Sequence, residues 1–184
     1  MPISRIGAIA PSSAAATSSP ILSSLFTKIL THRPAVLHIH QVVAHNPELL
    51  RAQAQYAAAL REHSAISRPL QEILIIRIAQ INGSTYEQSV HRPIAINLGV
   101  PAAKVDSVAH WQTEMALFED ASERAALLYV EEAAGEGTVT DKVFTELEQH
   151  YSKQAIVDLS ALVGWYVGNT RFTKALQITN EGIE

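Results

Sequence analysis

RPLQEILIIRIAQIN, residues 68–82, admits two readings. Its Leu-Ile-Ile core could pass for a buried strand. It is too long for one, however, and stands between helical signals, with Ser67 at a cap position before it and Gly83 as a stop after it. At 100° per residue Leu70, Ile73, Leu74, Ile75, Ile76, Ile78, Ala79 and Ile81 wrap almost the whole circumference, as expected of a helix central to its fold. Glu72 then falls beside Ala79 and between Ile75 and Ile76 rather than on a polar stripe. A lone buried carboxylate costs several kcal/mol, about the range of an unpaired polar group or more, so Glu72 requires a partner or a proton.

The helical reading extends in both directions. Residues 11–19 form a loop, and Ser19-Pro20 starts a helix to about His32. Pro34 opens a short helix through His45, and Asn46-Pro47 starts the next, PELLRAQAQYAAALREH. Ser84, with Glu87 three residues on, is a capping box for a helix reaching Gly99, and Pro93 inside it deprives the Ser89 carbonyl of its donor. Pro101 begins a short helix ending near Trp111. Asp120 with Glu123 caps ERAALLYVEEAAG, Thr140 caps DKVFTELEQHY, and Ser152 starts a last helix to about Ile178. No segment alternates at period two for long enough to make a strand, so the fold class is all-α. Residues 1–34 read as an N-terminal arm with a first helix, and 35–184 as one helical domain.

In the helix after Ser84 the arc Val90, Ile94, Ala95 and Leu98 contains Glu87 and His91, while Thr85, Gln88, Ser89 and Arg92 face the other way. Two neighbouring helices thus turn Glu72, Glu87 and His91 inward. Such a cluster suits general acid–base catalysis, and it equally suits a structural ion-pair network. Tyr86 is a proton donor or a packing ring, and Trp111, Trp165 and Tyr166 are core or interface aromatics. His38, His40 and His45 do not make a metal site, because helix residues two apart point about 200° away from each other. Asn169 and Arg171 are candidates for an anion or a subunit contact. Ser84 with His91 lacks the strand-turn-helix elbow of a serine hydrolase.

Composition removes other classes. The chain of 184 residues has no cysteine, so thiolate chemistry, disulfides and zinc-thiolate sites are excluded. A net charge of -4 leaves no basic footprint for nucleic acid. No apolar run approaches the ~20 residues that cross a bilayer, so no membrane partner is expected. With 47% apolar and 17% charged residues, the surface is thinly charged, as in proteins that bury part of it in an oligomer. Residues 1–47 hold Arg5, Lys28 and Arg33 but no acid, faintly like a targeting segment; the run Ile6–Ala10 is short for a secretory leader, and a cytoplasmic location is expected.

The order Glu72, Ser84, Tyr86-Glu87, His91 resembles the carboxymuconolactone decarboxylase and alkylhydroperoxidase D-like superfamily. HNPELLRA at 45–52, LQEILIIRIAQING at 70–83, HRPIAINLGVP at 91–101, SERAALLYVEEA at 122–133 and NTRFTKALQI at 169–178 are similar too. The resemblance implies an all-helical bundle assembled as a homo-trimer or homo-hexamer, with the site near a subunit interface. In the peroxidase branch two cysteines react while a glutamate and a histidine relay protons. Glu72 and His91 match that relay, Ser84 and Glu87 occupy the cysteine positions, and Tyr86 stands where a histidine is common. The decarboxylase-like branch shows Tyr-Glu-Trp before a histidine, and here Gln88 replaces the tryptophan.

The resemblance therefore implies a cofactor-free lyase, a decarboxylase or related isomerase, on a small carboxylated lactone or keto acid. Glu72, His91 and Glu87 would be catalytic, Ser84 and Tyr86 substrate-binding, with no metal. A ligand-binding oligomer without catalysis is the alternative.

Overall fold

A computed structural model describes residues 3–31 and 35–180. Among them are ten α-helices and no strand. They are α1 (Ala14–Thr17), α2 (Pro20–Leu30), α3 (His38–Val43), α4 (Pro47–His63), α5 (Arg68–Ile81), α6 (Thr85–Asn97), α7 (Ala102–Ser107), α8 (Ala121–Gly135), α9 (Asp141–His150) and α10 (Lys153–Ala175).

Most boundaries follow from side-chain caps. The hydroxyls of Ser19, Ser84, Thr140 and Ser152 and the carbonyl oxygen of Asn46 each accept a first-turn backbone N–H, and the Asp120 carboxylate does the same for Ser122. One expectation is corrected. Inside the segment read as loop, Ser13 caps the single turn α1, since an Ala-rich run needs only that acceptor to close one turn. The expected start at Pro34 and end at His32 lie outside the described residues.

Helix α5 is the hub. It packs on α6, α8 and α10, and Gln71 to Ile76, Ile78 and Ala79 are all buried. The larger apolar cluster joins α5 to Ala126, Leu127 and Val130 of α8 and to Leu159 and Leu162 of α10. A second cluster gathers the N-terminal segment with α3 and the outer face of α6, including Leu22, Phe26, Val42, Tyr86 and Val90. Trp111 belongs to the first cluster, edge-on to Phe118, with its indole N–H donating to Glu131 at 2.9 Å. Among the described residues no helix is long and apolar enough to cross a membrane.

Between α5 and α6 the chain reverses through Gly83, at φ 64°, where L side chains are disfavoured. Ser84 donates its N–H to Ala79 O, and α6 starts at once. This tight turn lays α6 back along α5 and sets the register of everything that faces their seam.

Candidate active site

Glu72 on α5 is 1% exposed, and Glu87 and His91 on α6 are 3% and 5% exposed. The imidazole Nδ1 of His91 stands 2.6 Å from Glu72 Oε2, and Nε2 stands 3.4 Å from Glu87 Oε2. Arg68, one turn before Glu72, binds the other carboxylate oxygen, Oε1, and donates to Gln71 Oε1 at 2.7 Å. Gln71 in turn donates to the Leu60 and Ile66 carbonyls. The result is a ladder, Arg68–Glu72–His91–Glu87, closed to solvent along nearly its whole length.

Electrostatics follow from that order. Burial alone disfavours both charged forms. Against it, the His91 and Arg68 cations and their hydrogen bonds hold the Glu72 carboxyl below its usual value. Burial likewise opposes the imidazolium, yet Glu72 and then Glu87 raise His91 to about 9. At neutral pH the pair is therefore carboxylate and imidazolium. Glu87 Oε1 is buried with no hydrogen-bond partner.

The ring of Tyr166 on α10 stands edge-on to His91 with centroids 5.1 Å apart, so a third helix closes the site. Sequence reasoning missed this role and that of Arg68. The arginine carried a legible signal, its four-residue spacing from Glu72; nothing local marks Tyr166 as a neighbour of His91. Trp165 beside it stacks on Tyr56 at 4.7 Å.

Ser84 Oγ accepts the Glu87 N–H at 3.2 Å, so it holds the helix end that carries the site. Tyr86 points into the second cluster, and its hydroxyl accepts the Ile39 N–H at 3.2 Å, tying α3 to α6. Contact with a substrate requires that bond to be exchanged. His38 Nδ1 lies 3.0 Å from Thr179 O, away from the ladder. Two surface clefts, of about 500 and 400 Å³, are lined by other residues: one by Leu70, Ile73, Lys104 and Tyr151, the other by Leu128 and Val143. Neither includes Glu72, Glu87 or His91.

Residues 47–132, which hold Glu72, Ser84, Tyr86, Glu87 and His91, match the model of the carboxymuconolactone decarboxylase family. The fold agrees. A peroxidase-related protein with an alkylhydroperoxidase AhpD core from Ralstonia eutropha JMP134 superposes with a TM-score of 0.81 at 18% identity, over 99% of this chain and 94% of its own. Over residues 47–132, a little under half of its length, this chain is similar to the carboxymuconolactone decarboxylase family, and its fold is that of the alkylhydroperoxidase D-like proteins.

Two further proteins are similar. The debrominase Bmp8, solved as a variant with 2,3,4-tribromopyrrole, superposes with a TM-score of 0.79 at 21% identity, covering 90% of this chain and 88% of its own. The uncharacterized protein YnjA of Escherichia coli (strain K12) is 38% identical over 81 residues, which make up 44% of this chain and 43% of YnjA. This chain has no cysteine. A serine hydroxyl and a carboxyl cannot form a disulfide, so thiol peroxidase chemistry has no thiol to run on here.

Proposed function

We propose that the chain is a cofactor-free acid–base lyase, a decarboxylase or related isomerase, acting on a small carboxylated lactone or keto acid. The Arg68–Glu72–His91–Glu87 ladder, buried from Glu72 to Glu87, is the observation that supports this reading. In such a decarboxylation the bond from carbon to carboxylate breaks and carbon dioxide leaves. Its electron pair passes into the conjugated carbonyl as an enolate, whose carbon then takes a proton. His91, kept protonated by Glu72 at Nδ1, is suited to deliver that proton from Nε2. Glu87, beside Nε2, is suited to return it, and Ser84 with Tyr86 to orient the substrate. Replacing a ring bromine by hydrogen, by contrast, takes two electrons, and this chain has no thiol to give them.

The test is turnover of a panel of muconolactone-type and β-keto acids by the wild type, His91→Ala and Glu72→Gln. Loss of one proton-transfer group should lower kcat/KM by about 10²-fold or more. A panel without turnover, or full activity in both variants, sinks the proposal. The second reading, a ligand-binding protein whose ladder is scaffold, is favoured by the clefts lying elsewhere. It expects His91→Ala to lower the melting temperature with nothing turned over. With either reading we propose a homo-trimer or homo-hexamer, supported by apolar residues left outside, among them Val157 at 65% exposure.

A further inference from the structure

Helices α6 and α10 pack along a seam fixed at two points. At one, Tyr166 meets His91 edge-on. At the other, Lys174 Nζ donates to Asn82 O at 2.9 Å, and a Cβ on Gly83 would lie 3.5 Å from that nitrogen. The helices therefore run antiparallel. Glu87 precedes His91 by four residues on α6 and Thr170 follows Tyr166 by four on α10, so each lies one turn, about 6 Å, from the Tyr166–His91 contact in the same direction. Residues four apart share a helix face, so Glu87 and Thr170 belong to the same seam at the same level. Both are buried, at 3% and 1% exposure.

Both also carry an unsatisfied polar atom, Glu87 Oε1 and Thr170 Oγ1, which are not bonded even to each other. A buried donor or acceptor without a partner costs about 1–3 kcal/mol, so two at one level in one seam call for a common partner. That partner has to offer a hydrogen to the carboxyl and an oxygen to the threonine hydroxyl. A hydroxyl group does both.

We propose that Glu87 Oε1 and Thr170 Oγ1 bind a hydroxyl of the substrate, one turn from His91, which makes the preferred substrate a hydroxylated acid or lactone. The word substrate rests on the acid–base reading of this site; the hydroxyl pocket does not. It adds Thr170 as a specificity-determining residue, outside the segment matched by the family model.

The test uses the full chain and two probes that differ by one hydroxyl, 3-hydroxy-γ-butyrolactone and γ-butyrolactone, titrated by NMR. The wild type should bind the hydroxylated lactone about tenfold more tightly. Thr170→Val should erase that preference, and Thr170→Ser, which keeps the hydroxyl, should retain it. Equal binding of both lactones by the wild type, as expected if the seam holds only a fixed water, overturns the proposal. So does a preference that survives in Thr170→Val, or one lost equally in Thr170→Ser. The two readings separate cleanly. A preference without turnover on any panel leaves the hydroxyl pocket standing and removes the lyase; turnover without a preference does the reverse.

Discussion

Glu72 touches two cations, Arg68 and His91, from a position 1% exposed. Removing its charge leaves Arg68 without its counter-ion and His91 with only the more distant Glu87, at 3.4 Å, so Glu72→Gln should cost about 3–5 kcal/mol of stability, read by chemical denaturation. The pH dependence has a defined shape. His91 is raised from 6.5 to about 9, so its contribution is complete below pH 6.5 and is lost as pH rises through about 9. Glu72 is lowered from 4.5, so its contribution is present above pH 4.5 and disappears as pH falls through the folded value. Thermal melting should therefore peak between pH 4.5 and 6.5, and the His91 ring should titrate near 9 by NMR. A ring that is neutral at pH 8 contradicts the ladder. Periodicity alone placed Glu72, Glu87 and His91 inward, because a 3.6-residue repeat fixes which arc a side chain shares. It could not name Tyr166, since contacts between distant helices depend on packing.

The α5–α6 hairpin is what turns those residues into a site. Gly83 holds φ 64°, and a methyl there would meet only the tip of the Lys174 side chain at 3.5 Å. Gly83→Ala should therefore lose about 1–2 kcal/mol, through backbone strain rather than a clash. Ser84→Ala removes the cap on Glu87 N–H and should cost about 1 kcal/mol by the same denaturation measurement. Caps and proline-led starts made most helix boundaries legible beforehand, because their hydrogen bonds are local. The exceptions were also local in cause. Ser13 closes the single turn α1 inside a Ser/Ala-rich run, and Leu98, read as part of the inward arc, ends α6 as its C-cap at 40% exposure. Pro93 stays within the helix, because the residues around it remain tied to α5 and the second cluster.

At the scale of the molecule, the exposed apolar side chains and sparse charge make association measurable. Sedimentation should give three or six times the chain mass if the proposed assembly forms, and a single-chain mass removes it. One further property follows from how the chain closes on itself. Arg5 N–H donates to Leu176 O at 2.8 Å and Thr179 N–H to Ile3 O at 3.0 Å, so the first described residues lie alongside the end of α10. Gly137, at φ 79° after α8, marks an exposed break far along the sequence. The segments at residues 3–5 and 176–179 are thus held side by side. A short linker joining Thr179 to Ile3, with new ends opened at Gly137, should give a circular permutant that keeps the ladder intact.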